Sequence, residues 1–207
     1  ARYLKMAADN ADHGSSYKLA NMYFEGDGID NDYSMALQYF SFAANNGNVD
    51  AMLKCALMNL EGYGTPINKA NALNYYKMAS DLRDPNGMFL YGKMLFYDDD
   101  DNEKNKMDGI PLILDAAYNN NEEAMFTIAS IFDSNEFLPL GVNKEEAFNF
   151  YKKAADQGNK SAMFFVANKY ESGDGVTKDL GLASRYYKLA ADNDDIDSAY
   201  FFAEMAR

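Results

Sequence analysis

Residues 163–176, MFFVANKYESGDGV, followed by 186–193, YYKLAADN, decide the fold. Two stretches with apolar residues at helical spacing flank a Gly-Asp-Gly turn, and the chain repeats that unit from end to end. The small residue of the first helix recurs as Ala20, Ala56, Gly92, Ala129, Ala167 and Ala203, at steps of 36, 36, 37, 38 and 36. The pair closing the second helix recurs as Ala7-Ala8, Ala43-Ala44, Ala79-Ser80, Ala116-Ala117, Ala154-Ala155 and Ala190-Ala191. A period of about 20–50 residues carrying two helices predicts an all-α solenoid of stacked antiparallel helix pairs. From each second-helix alanine to the next small residue the step is always 13, whereas the other half of the repeat varies from 23 to 25. Extra residues therefore enter the turn inside a repeat, and the junction between repeats keeps its geometry.

The expected array runs as one unit over 1–207, with a partial repeat at 1–13, repeats at 14–48, 49–84, 85–121, 122–159 and 160–195, and a partial repeat at 196–207. First helices are expected near 15–25, 50–61, 87–97, 123–133, 161–171 and 197–205, and second helices near 33–45, 69–82, 107–119, 144–157 and 180–193. Asn68, Asn143 and Asp179 stand where side-chain oxygens would cap second helices, and Asn143 with Glu146 has capping-box spacing. Gly47 and Gly158 follow second helices where a left-handed residue ends the last turn. The small first-helix residues are expected against the partner helix of the same repeat. The aromatic pairs Tyr39-Phe40, Tyr75-Tyr76, Phe150-Tyr151 and Tyr186-Tyr187 are expected in the core. Cys55 aligns with Leu19, Ile128 and Val166 and reads as a small buried apolar residue.

Composition narrows the function. A formal net charge of −13 repels nucleic-acid phosphate, so no nucleic-acid partner is expected, and a protein or peptide, basic or neutral, fits better. No run of 18 apolar residues exists, so no membrane insertion is expected. One cysteine excludes an intrachain disulfide and a cysteine-based metal site. Asp98 to Asp101 suggest calcium, but an EF-hand loop needs Gly at its sixth position, where Glu103 stands. His13 has no nucleophile or carboxylate placed beside it by the pattern, and no Gly turn carries the Lys of a phosphate-binding loop. The reading is a non-enzyme with no cofactor, no metal and no catalytic residues. Both termini cut a repeat, and such half-repeats can stack end to end between molecules.

The pattern Ala162-x-x-x-Val166-Ala167-x-x-Tyr170-x-x-Gly173-x-Gly175-Val176, then Ala183-x-x-Tyr186-Tyr187-x-x-Ala190-Ala191, resembles the Sel-like repeat, a relative of the tetratricopeptide repeat. The resemblance covers essentially the whole chain and implies a right-handed α-solenoid. The repeat at 85–121 departs from it: it lacks the Gly-x-Gly turn and carries Pro111 in its second helix, which is therefore expected to begin nearer Asp108 or to kink. Secreted bacterial relatives often carry a disulfide in each repeat, and this chain does not. A reducing, cytoplasmic setting is favoured, with the ER lumen and the exterior left open.

By tetratricopeptide geometry, three positions of each first helix line a concave face. They read Tyr17, Asn21, Phe24; Leu53, Leu57, Leu60; Phe89, Lys93, Phe96; Phe126, Ser130, Asp133; Phe164, Asn168, Glu171; and Tyr200 with Glu204. The leading residue of each set is aromatic in five cases of six, and packing between neighbouring first helices accounts for those rings. The candidate partner-binding residues are Tyr17, Asn21, Phe24, Leu57, Leu60, Lys93, Phe96, Ser130, Asn168, Glu171 and Glu204. Asn21 and Asn168 both donate and accept, which suits an extended peptide backbone. The resemblance implies an interaction scaffold or adaptor. The alternative is a regulatory domain or activator subunit, of the ER-associated degradation ligase, chitin synthase or kinase type, using its convex face or rim turns such as Phe137-Leu138-Pro139-Leu140.

Overall fold

The computed structural model describes residues 5–6, 12–97, 102–134 and 143–205, and every regular element among them is a helix. The helices are α1 (His13–Glu25), α2 (Tyr33–Asn45), α3 (Val49–Glu61), α4 (Lys69–Asp81), α5 (Pro85–Phe96), α6 (Glu103–Tyr118), α7 (Glu122–Asp133), α8 (Lys144–Asp156), α9 (Lys160–Ser172), α10 (Leu180–Ala191) and α11 (Ile196–Met205). The chain divides into two compact units, 1–109 and 110–207. In the first, α1 to α5 each pack on the next helix in sequence; in the second, α7 to α11 do the same. Each unit is thus a stack of helix pairs, the solenoid that the period predicts.

Local chemistry fixes where the helices begin. Asp12, Asp32, Asn48, Asn68, Asp84, Asn121, Asn143, Asn159 and Asp179 each accept from the backbone N–H three residues on, at 2.7–3.0 Å. Each bond satisfies one of the donors that a helix start leaves orphaned. At Asn143 the capping box takes a modified form. The Glu146 carboxylate accepts from the Asn143 side-chain amide at 2.9 Å, because the Asn143 backbone N–H is already given to the Phe132 carbonyl.

Packing follows the small residues. Ala20, Ala56, Gly92, Ala129 and Ala167 are all buried, as are Ala43-Ala44, Ala79-Ser80, Ala116-Ala117 and Ala154-Ala155. Ala203 departs from the expectation: it is exposed, with no second helix described beyond α11 to cover it. The aromatic pairs divide. Phe40, Tyr76, Tyr151 and Tyr187 are buried, and Phe150 with them, but Tyr39, Tyr75 and Tyr186 are only half-buried. Adjacent positions on a helix point about 100° apart, so one ring of a pair faces the core while the other reaches the boundary.

At the junctions, Gly47 and Gly158 take φ of 88° and 106°, and the same register is held by Arg83, Asn120 and Asp194 at 62°, 64° and 68°. Inside the repeats, the second glycine of the turn allows close approach. A Cβ on Gly64 would lie 2.4 Å from the Tyr33 carbonyl, and one on Gly175 2.2 Å from that of Lys144. The turn of one repeat thereby abuts the start of the preceding repeat's second helix.

The helix carrying Pro111 corrects the sequence reading. It begins at Glu103, ahead of Asp108, with the Asn102 side chain accepting from the Lys104 N–H at 3.0 Å, and it runs through the proline. Pro111 is exposed, so the carbonyl that loses its N–H partner can be solvated. Gly109 sits on the packed side, where a Cβ would lie 2.5 Å from the Gly92 carbonyl. The acidic run at 98–101, the rim segment at 137–140 and the Ala7-Ala8 pair lie outside the described residues.

Candidate functional site

The face expected to bind a partner is set by residues adjacent to the buried small ones. In the first unit, Ala20, Ala56 and Gly92 are buried while their neighbours Asn21, Leu57 and Lys93 are half-buried, exposed and exposed. In the second, Ala129 and Ala167 are buried while Ser130 and Asn168 are half-buried. One residue of rotation separates the seam against the partner helix from the surface.

The rings that lead each set pack largely on the second helix of their own repeat. Tyr17 lies 5.7 Å from Phe40, Phe126 lies 5.6 Å from Tyr151 and Phe164 lies 6.0 Å from Tyr187. Contacts with neighbouring first helices are also present, Phe126 with Phe165 and Phe164 with Phe201. Tyr200 is the exposed member of the series, at 63%.

The polar candidates are partly committed. Asn21 donates its amide to the Tyr17 carbonyl at 3.0 Å, which leaves its side-chain oxygen to accept. Ser130 hydrogen-bonds Tyr151, whose phenol is pushed well above its ordinary range chiefly by burial. The Tyr187 phenol oxygen lies 2.7 Å from both Asn168 Oδ1 and Glu171 Oε2. A phenol has one proton. The carboxylate is the stronger acceptor, so Tyr187 donates to Glu171, and a half-turn of the Asn168 amide lets its NH2 donate to the phenol oxygen. Burial, then the hydrogen bond with Glu171, holds Tyr187 protonated. Glu204 on α11 is exposed.

The apolar candidates collect in the first unit. Phe24 meets Tyr33, Phe40 and Tyr63 at 5.3, 6.3 and 6.0 Å, with Lys54 Nζ 5.2 Å from its ring centroid. Phe96 lies edge-on to Tyr97 at 4.9 Å. Leu57 is 38% exposed. Leu60 and Lys93 come together: both line a half-open cavity of about 610 Å³ with Leu73, Leu90 and Met94. Lys93 Nζ also stands 5.4 Å from the Phe89 ring centroid.

A four-residue cluster in the second unit escaped the sequence reading. Lys169, its side chain 7% exposed, pairs with Asp133 and Asp174. Lys144 Nζ reaches Asp133 Oδ1 at 2.8 Å, the Asp133 carbonyl at 2.7 Å and Asp174 at 3.5 Å. By register these four positions correspond to Phe24, Tyr33, Met58 and Tyr63 of the first unit, where Phe24, Tyr33 and Tyr63 form a ring cluster and Tyr33 and Tyr63 are 4.9 Å apart. The same place in the repeat is apolar in one unit and ionic in the other. The signal was available: Lys169 stands in the column that reads Met22, Met58, Met94 and Ile131.

Cys55 is buried, its Sγ 3.7 Å from Ser41 Oγ, and burial raises its thiol to about 11. Among the described residues, no group of three or more His, Cys, Asp or Glu could hold a metal ion, and no helix is long and apolar enough to cross a membrane.

Comparison with known proteins agrees with this architecture. The Sel1 repeat family model matches residues 14–48, 49–84, 138–159 and 160–195, passing over the repeat that carries Pro111. The structure of c5321, a protective antigen of uropathogenic Escherichia coli strains with an SLR fold, superposes with a TM-score of 0.83 at 22% identity, covering 99% of this chain. The chain spans 43% of the length of c5321. A Sel1 repeat protein from Oxalobacter formigenes gives a TM-score of 0.81 at 20% identity, over 95% of this chain and 77% of that one. Immunity protein Pa5087 from Pseudomonas aeruginosa gives 0.56 at 22% identity, over 92% and 72%. Comparison with curated proteins returns no match. Four matched repeats over more than half its length, together with the shared fold, show that the chain belongs to the Sel1 repeat family, whose members are in general non-catalytic protein-interaction scaffolds.

Proposed function

We propose that the chain binds a polypeptide partner on the first-helix faces of its units, with Asn21, Leu57 and Lys93 contributing in the first and Ser130, Asn168 and Glu171 in the second. The observation that carries this reading is the alternation of buried small residues with half-buried or exposed neighbours one position on, repeated in α1, α3, α5, α7 and α9. Within each unit it presents a preformed row of side chains at little ordering cost. Leu57 adds an exposed apolar group on the same face. The net charge of −13 favours a partner that is basic over most of its length.

The test is capture of a partner by wild type beside a variant carrying Asn21→Ala, Leu57→Arg and Asn168→Ala. Asn168 also supports Tyr187, so thermal unfolding of both proteins accompanies the capture. A partner held by wild type and lost by an equally stable variant supports the reading. A partner retained by both moves the contact to the rim turns or the opposite face, as a regulatory-subunit role would use.

A further inference from the structure

The register that holds the Phe24 rings in one unit and the Lys169 ions in the other occurs again at the junction of α9 and α10 with α11. There Glu171, Leu180 and Met205 stand in place of Asp133, Lys144 and Lys169. Asp133 has two lysine partners. Glu171 has neither, because both lysine positions of its junction are apolar. It is half-buried all the same, and among the described residues it meets the Tyr187 phenol, 2.7 Å from Oε2, and no ammonium or guanidinium group. Such a carboxylate keeps one oxygen ready to accept and a charge with nothing beside it to balance it.

The neighbours of Glu171 add to the site. Phe164, Asn168 and Glu171, spaced at i, i+4 and i+7, share one face of α9, and all three are half-buried. With Tyr187 donating to Glu171 and the turned Asn168 amide donating to the phenol, the Asn168 oxygen points away from Tyr187. The face therefore offers two acceptors, that oxygen and Glu171 Oε1. One turn away lies the Phe164 ring, 5.9 Å from the half-buried Phe201 ring of α11.

We infer that Asn168 and Glu171 form a receiving position for an arginine side chain of the polypeptide partner: the guanidinium donates to both oxygens and lays its flat face toward Phe164. The inference rests on the interaction reading above and names what one part of that face takes. A guanidinium has several donors in a fixed plane, is weakly hydrated and stacks on rings, whereas an ammonium is a compact, strongly hydrated charge. Bonds to a carboxylate from a cation are also stronger than neutral ones.

The probe is N-acetyl-arginine N-methylamide, titrated to about 20 mM, the weak range that one side chain supports. Two-dimensional NMR follows the Asn168 side-chain amide, and the lysine and citrulline analogues serve as controls. Two variants report on the site. Glu171→Gln removes the charge but still accepts from Tyr187. Leu180→Lys, at an exposed position, supplies an ammonium from the register of Lys144 and leaves Asn168, Glu171 and Tyr187 untouched. Arg207 lies outside the described residues and carries the same group, so the titration is repeated with Arg207→Gln, where binding should persist. The expected result is a saturable shift for the arginine probe, weakened about tenfold or more by each of the two variants and by the citrulline analogue, and severalfold by the lysine analogue. No saturable shift by about 20 mM, equal binding of either analogue, loss of binding in Arg207→Gln, or unchanged binding in both variants with unchanged melting would each overturn the inference. Failure here stays distinct from failure of the interaction reading. A captured partner lost with Asn21→Ala, Leu57→Arg and Asn168→Ala, but kept by Glu171→Gln and by Leu180→Lys, rejects the arginine position alone.

Discussion

Replacing Lys169 by Met, the residue at that register in three other repeats, isolates what the ion cluster contributes. Removing one partner of a buried ion pair costs about 3–5 kcal/mol when the other charge is left alone. Here neither carboxylate is left alone. Lys144 stays 2.8 Å from Asp133 and 3.5 Å from Asp174, and the Asp174 side chain is 42% exposed to water. Methionine also buries well where Met22, Met58 and Met94 stand. The loss should therefore fall to about 1–2 kcal/mol, read as a lower urea midpoint at unchanged slope.

The pH dependence gives the sharper check. The hydrogen bond from Lys169 holds the Asp174 carboxyl below its ordinary 3.8, against the opposing effect of burial, and the charges of Lys169 and Lys144 add to the lowering. A carboxyl depressed in the folded state contributes stability above its unfolded pKa and loses it as pH falls through the folded value. The gap between wild type and Lys169→Met should be full at pH 7 and should close as pH falls below 3.8. Transplanting the ring cluster, with Asp133→Phe, Lys144→Tyr, Lys169→Met and Asp174→Tyr together, should be neutral or stabilising by about 1–4 kcal/mol, since it removes every desolvated charge at once. Equal stability of wild type and Lys169→Met at pH 7, or a gap that persists unchanged into acid, would refute the assignment of this stability to charge pairing.

Three further outcomes follow from the packing. Gly175→Ala should cost several times what Gly47→Ala costs, because both strain a positive φ by about 1 kcal/mol but only Gly175 meets a carbonyl, at 2.2 Å, while nothing lies within 4 Å of Gly47; equal costs in urea denaturation would remove the close-approach argument. Arg83→Gly should stabilise by up to about 1 kcal/mol by relieving its φ of 62°, less the added chain entropy of glycine, and a clear loss of stability would show that Arg83 contacts outweigh the strain. Cys55, buried and with its thiol raised to about 11, should react with a thiol reagent at pH 8 about a hundredfold or more slowly than in urea, and equal rates would show the sulfur to be accessible.

What the sequence revealed and what it hid divide along the repeat. The constant step of 13 from second-helix alanine to first-helix small residue is legible because a junction that sets stacking tolerates no insertion, and Ala43, Ala56, Ala79 and Gly92 are buried accordingly. The aspartate and asparagine caps are legible for a similar local reason: each bond closes within three residues. Pairings that cross repeats are not local. Lys169 meets Asp133 from 36 residues away, and a pattern tuned to apolar spacing reads a lysine in a core column as a surface residue. The repeat pattern places Asn168 and Glu171 among the groove groups, but whether their capacity is spent depends on Tyr187, a residue of another helix.

The same reasoning says where specificity should lie in such an array. Positions that obey the period are constrained by stacking, so they carry little information about a partner. The departures from it, Lys169 in a methionine column and a third repeat with Pro111 and no Gly-x-Gly turn, are freed from that constraint. One departure closes its junction with an ion cluster, which is satisfied internally and has no charge left to offer a ligand. Beside the other lies a half-open cavity lined by Leu60, Leu73, Leu90 and Met94. Of these two places, the second keeps apolar side chains around an open cavity, the kind of surface that a partner can cover.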